Sequence, residues 1–335
     1  MSLARAESRR LIKRRFTKVL LIGLLLVLAA VFAGSWFTSE KVGPSQIAAA
    51  KAEADGYYQE ALRTAATDKQ QCLAAAGTPQ AANWPANCDE LYTPTREDYD
   101  YRWYMPATFD LREDFRNMIS VFAVVLAAVA FLIGASFVGA EWNSGGMMNL
   151  LLWRPQRTRV LGTKLIVFLS WLVGVSVLLG AVWAGLFRVL AEARGTTDKM
   201  TSGVWQSFGL MGLRGLGLIV AAGALGFALA SLGRHTGMAL GALVALGAVQ
   251  IGVYVMAGLA GFKYPDLLFT PFWIFAVLYK EWVATDYTSC DYSSVAGCRP
   301  DTFTMTWQAG SIGVAAVAVL VVAAALWTMR KRDIT

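Results

Sequence analysis

Acidic side chains are missing from every long apolar stretch of this chain. There is one histidine, His235, and there is no GxxxxGK[ST] loop, no GxSxG turn and no Cys/His spacing suited to a metal. Each absence closes a class of function. Proton- or sodium-coupled transport needs a carboxylate inside the bilayer, and an intramembrane enzyme needs an acid, a base or a metal there. Nucleotide phosphates need a glycine-rich cradle. Charge of any kind is scarce, at 16% of 335 residues, where soluble domains carry about a quarter. The formal net charge of +7 gathers beside the apolar stretches, so it reads as an orientation signal and a lipid-headgroup contact, with no nucleic acid partner.

Hydrophobic residues make up 56% of the chain, and they collect in blocks. A helix needs about 20 apolar residues to cross a ~30 Å hydrocarbon core. Six blocks reach that length, roughly 19–37, 118–140, 161–187, 210–232, 237–258 and 309–328. The predicted fold class is an all-α membrane protein with six transmembrane helices. Arg9, Arg10, Lys13, Arg14, Arg15 and Lys18 lead into the first block and put the N-terminus in the cytoplasm. Residues 30–35 offer no clean cleavage pattern, so the block is read as a span and not as a signal peptide. Alternation then places 141–160, 233–236 and the tail 329–335 inside, and all three are basic. The loops 38–117, 188–209 and 259–308 fall outside and hold most of the acidic residues. The chain is thus expected N-in/C-in, in the cytoplasmic membrane of a bacterium. Cys72, Cys88, Cys290 and Cys298 all lie in the outside loops, on the oxidising side. Short loop closure favours Cys72–Cys88 and Cys290–Cys298, with the crossed pairings still open.

Residues 1–18 read as an amphipathic interfacial helix, with Leu3, Leu11, Ile12 and Phe16 set among the basic residues. In the first outside loop, Pro44-Ser45 predicts a helix start, and an Ala-rich helix to about Ala75. Residues 78–106 turn to Pro, Asn, Trp and Tyr and read as irregular. Residues 265–283 are apolar and aromatic but broken by Pro265 and Pro271, which predicts a re-entrant or interfacial helix pair before the last span. Gly233, Gly237 and Gly241 recur every four residues and are expected to share a helix-packing face. Two polar residues fall inside spans as candidates for a translocation path. Arg214 would snorkel or meet an anionic group, and Gln250 would hydrogen-bond another helix. His235 reads as a polar turn residue.

The inside segment 137–164, FVGAEWNSGGMMNLLLWRPQRTRVLGTK, stands apart. A helix over 142–152 would present Trp142, Met148, Leu151 and Leu152 to a soluble partner, and Pro155 would end it. Arg157 and Arg159 would meet acidic groups or lipid phosphates. The series Gly139, Glu141, Gly146, Leu151, Leu152, Pro155, Arg157, Arg159 and Lys164 resembles the signature of ABC-2 type permeases, the membrane subunits of the type V ABC exporter fold. Met147 departs from it, standing where that family usually has Thr or Ser. Six spans, an amphipathic N-terminal helix and a broken segment before the last span extend the resemblance over nearly the whole chain, apart from the longer first outside loop.

The resemblance implies a non-catalytic membrane subunit with no cofactor of its own. Two ATP-binding subunits would bind ATP and Mg and dock on the Glu141–Lys164 segment. A second copy of the chain would complete a homodimer, with spans two and five lining the pathway. Apolar walls without acids suit a drug, antibiotic, lipid or peptide as cargo. The alternative within the same fold is a resistance or sensor module that dislodges a ligand from the outer leaflet.

Overall fold

The computed structural model describes residues 3–85, 87–147, 156–198, 200–286 and 300–331. It is mostly helical. Among the described residues six helices are long and apolar enough to cross a membrane: α2 (Arg15–Thr38), α4 (Asp114–Asn143), α5 (Arg157–Arg194), α6 (Ser202–Gly233), α7 (Thr236–Leu259) and α9 (Trp307–Lys331). The three remaining α-helices among the described residues are α1 (Leu3–Lys13), α3 (Pro44–Ala75) and α8 (Thr270–Tyr279). The chain divides into two compact units, one from the described parts of 1–32, 112–187 and 199–335, the other from 33–111 and 188–198.

In the first unit α4 packs along α6, and these two helices are the most buried of the six. Missing side chains make that approach possible. A methyl group on Gly134 would collide with the Gly223 carbonyl, and one on Gly226 with the Phe131 carbonyl. Where the helices are not notched, aromatic rings fill the space. Phe137, Phe168 and Phe227 bring α4, α5 and α6 together, with Phe168 and Phe227 stacked at 6.3 Å. By contrast α7 buries only Ala239. Arg234 takes the left-handed conformation (φ 54°) that ends α6, and His235 caps α7 by accepting from Gly237 N through Nδ1 at 2.8 Å. This turn corrects the expectation for Gly233, Gly237 and Gly241. Gly233 closes α6 and Gly237 opens α7, so the three share no single helix face.

The broken segment also differs from expectation. Residues Pro265–Leu268 make a short 3-10 turn and α8 follows with ten residues, about 15 Å of rise and too short to span. The segment's last residues, 281–283, belong to strand β3 (Glu281–Asp286), paired antiparallel with β4 (Asp301–Thr306) from Glu281↔Thr306 to Asp286↔Asp301. Val283, Thr285, Thr302 and Thr304 are β-branched residues suited to a pleated ribbon.

The second unit is built on α3, 32 residues long. It begins at Pro44, as its fixed φ favours, with Gln46 Oε1 accepting from Gly43 N at 2.7 Å. The disulfide Cys72–Cys88 closes its far end, with Cα atoms 5.9 Å apart. The aromatic stretch beyond folds back along α3 in 3-10 turns. Tyr104 stacks on Tyr57 at 5.2 Å, Tyr99 lies against Tyr58, and Arg96 pairs with Asp55 at 2.9 Å. A short parallel bridge joins β1 (Phe109–Asp110) to β2 (Gly195–Thr196). The helix expected to stop near 187 runs on to Arg194, leaving a shorter connection before α6 than the 188–209 loop predicted.

Candidate functional site

Charge converges in the first unit where α4 ends and α5 begins. Glu7 lies one helical turn before Leu11 on α1, and both side chains are fully buried, so the carboxylate sits on the helix's apolar face. Lys164, two turns into α5, is also fully buried. Its Nζ donates to Glu7 Oε2 at 2.5 Å and lies 2.7 Å from Glu141 Oε2 on the last turn of α4. That second contact is an ion pair without hydrogen-bond geometry, since Glu141 Oε2 has no hydrogen-bond partner. The ammonium also stands 5.2 Å over the Phe137 ring. Arg10 reaches Glu7 Oε1 at 3.3 Å from the solvent side. Arg14, between α1 and α2, donates Nη1–H to the Ser136 carbonyl at 2.8 Å. Burial pushes the Arg14 guanidinium below its usual range, and the negative charge of Glu141 partly restores it.

A buried lysine is tolerable only when paired, because desolvating a lone ammonium costs several kcal/mol or more. Here one lysine answers two carboxylates from different helices, and the cluster pins α1, α4 and α5 at one point. Next to it, Gly139 presses on the start of α7. A Cβ there would lie 2.5 Å from the Thr236 nitrogen. The Arg234 guanidinium covers the Trp142 ring at 5.1 Å, while the buried Trp142 Nε1 has no hydrogen-bond partner among the described residues. The α6–α7 turn therefore belongs to the same site.

Of the residues singled out in the sequence, Glu141, Trp142 and Lys164 come together here. Trp142 belongs to the last turn of α4 and not to a separate helix beginning at 142. Gly146 follows just beyond, and Arg157 and Arg159 occupy the first turn of α5, with Arg159 donating to Gln156 at 3.2 Å. Met148, Leu151, Leu152 and Pro155 lie outside the described residues, as do Cys290 and Cys298. Arg214 and Gln250 are elsewhere. Arg214 donates to the Val277 carbonyl at 3.0 Å, and Gln250 donates to Thr270 Oγ1 at 2.5 Å, so both hold α8 in place. Glu7 went unread in the sequence, and Arg14 was read there only as one of the basic residues that orient the first span. Glu7 had a signal, being the one carboxylate in the basic segment before the first span and in register with Leu11.

Among the described residues no group of three or more His, Cys, Asp or Glu is placed to hold a metal. No protein-family model, no curated protein and no solved structure matches the chain.

Proposed function

We propose that the chain is the permease subunit of an ATP-driven exporter, moving a hydrophobic or amphipathic molecule across or out of the cytoplasmic membrane. Separate ATP-binding subunits supply the energy, and two copies of the permease form the membrane unit. The observation that carries this reading is the pairing of Glu141 and the buried Lys164, from the two ends of the signature segment, with Glu7 of the N-terminal helix. An ATPase docked on residues 141–160 would push on a point to which α1, α4 and α5 are all tied, and which Gly139 links to α7. The six apolar helices and the absence of acids from their cores support the same reading, because the energy then has to enter from another chain.

The test is gentle purification from native membranes to recover any ATP-hydrolysing chain that binds it, followed by cargo-stimulated ATPase assays in liposomes. The expected outcome is a stable complex whose stimulation is lost in Lys164→Met under conditions where the variant still folds and assembles with the ATPase. A chain that never associates with an ATPase removes the proposal. Uptake of labelled drug into inverted vesicles separates export from mere displacement of a ligand.

A further inference from the structure

At the other end of the first unit, where α4 and α6 begin, two cavities lie side by side with Phe208 in the lining of both. One, of about 390 Å³, is walled by aromatic and small residues of α4, α5 and α6, among them Phe115, Phe122, Trp183 and Gly212. The other, of about 330 Å³, is lined by Arg112, Arg116, Arg214 and Lys280, and by no acidic residue among those described. Arg112 also interacts with a further group, so the charge argument is carried by the other three.

Two of the three are held in place, and the Lys280 side chain stands exposed beside them. Arg214 spends two N–H groups on the Leu210 and Val277 carbonyls, at 3.3 and 3.0 Å, and a guanidinium has five. Arg116 lies 5.8 Å over the Tyr279 ring, and the Tyr279 hydroxyl is fixed by Ser120 and Asn117 at 2.8 and 2.9 Å. Lys280 follows directly, at the end of α8. The first-turn residues Gly203 and Val204 of α6 also line this pocket, and helix starts favour negative charge.

We infer that the paired cavities bind an anionic phospholipid, with its phosphate among Arg116, Arg214 and Lys280 and an acyl chain in the aromatic cavity. Guanidinium groups match phosphate oxygens in geometry as well as charge. A free phosphate answers only the cationic pocket, and an uncharged lipid only the apolar one. An anionic amphipath answers both across the shared wall at Phe208. This site is independent of the export reading, since it needs neither an ATPase nor a second chain.

The full-length chain, delipidated in mild detergent, is offered equal amounts of phosphatidylglycerol and phosphatidylcholine with the same acyl chains, and retained lipid is counted by native mass spectrometry. Phosphatidylglycerol is expected to be preferred roughly tenfold, a difference of about 1.4 kcal/mol. Arg116→Gln with Lys280→Gln should abolish the preference. Gly212→Leu, whose Cβ points into open space in the apolar cavity, should weaken retention of the long-chain lipid. Equal retention of the two lipids overturns the inference. So does displacement of phosphatidylglycerol by millimolar inorganic phosphate together with indifference to Gly212→Leu, which would mark a simple anion site. A wild-type preference in the charge variant also overturns it. Should the double variant not fold, Lys280→Gln alone, at an exposed side chain, is read by the same criterion. A chain that keeps the lipid preference but binds no ATPase leaves this inference standing while the export proposal falls.

Discussion

Lys164 shows how much can hang on one side chain. Its ammonium has no water to fall back on, and among the described residues it is the fully buried cation that Glu7 and Glu141 share. Lys164→Met keeps the volume but takes the buried cation from two carboxylates, leaving Glu7 with Arg10 and Glu141 with its partial exposure, so the chain should lose about 3 kcal/mol of stability. Thermal unfolding in detergent measures that loss. Adding Glu7→Gln should recover part of it, because the second change removes one of the stranded charges. A double variant as damaged as the single one would mean that Lys164 acts through packing alone. Gly139 is a second such residue. Gly139→Ala forces a methyl against the Thr236 backbone, and overpacking of this kind costs about 1–3 kcal/mol. Gly185, whose Cβ would meet nothing within 4 Å, is the matched control and should tolerate Ala. The motif had flagged Gly139, Glu141 and Lys164, but only as points on a line. Which helix would supply the partner of Lys164 depended on tertiary packing, and Glu7 is more than 150 residues away in sequence.

Elements with strong local signals match their sequence reading closely, and those that depend on distant pairing do not. Helix α3 starts at the proline and ends at the alanine that local propensity predicted. The six apolar helices follow from block length, although α5 outruns its apolar block by a turn or more at each end. The β3–β4 hairpin stayed hidden because its first strand abuts the apolar α8 and its partner lies past residue 300. The aromatic turns beyond α3 were read as irregular, yet they carry defined local chemistry. Tyr92 donates to Asp98 at 2.6 Å, and Thr95 donates to the same carboxylate from its backbone and hydroxyl. That carboxylate holds the Tyr92 hydroxyl up to about 12, and the Tyr92 and Thr95 donors hold the Asp98 carboxyl below its usual range. The two groups place opposite limits on the turn. The Tyr92 contribution is complete below pH ~10, the free phenol value, and is lost as pH rises toward about 12. The Asp98 contribution is complete above pH ~3.9, the free carboxyl value, and fades as pH falls through its depressed folded value. A spectroscopic titration of tyrosine ionisation should therefore show a component at about pH 12 from Tyr92 that moves back toward pH ~10 in Asp98→Asn. An unchanged titration would separate the high value from this contact.

For the whole molecule, six helices of spanning length are present, but they are unequally covered. Helices α4 and α6 shield one another, while α7 leaves Leu243, Val244, Val249 and Met256 exposed. A two-copy permease needs a seam between its chains, and α7 is the span whose sides are least covered by its own chain. A cysteine at Val249 should then crosslink two copies in native membranes, and one at Leu178, exposed on α5, should not. Crosslinking at Leu178 alone would put the seam on α5. The buried ion cluster carries one further consequence, for ionic strength. Mobile ions screen exposed charges over a Debye length of about 8 Å at physiological salt and barely reach buried ones. Lys69–Asp89 and Arg96–Asp55 in the second unit have side chains at least half exposed, whereas Glu7 and Lys164 have none of their surface in contact with solvent. Raising salt should loosen local protection around α3 and its aromatic turns while leaving hydrogen exchange at α1 and the first turns of α5 unchanged. A joint built this way would keep its grip through changes in the ionic strength of the solution around it.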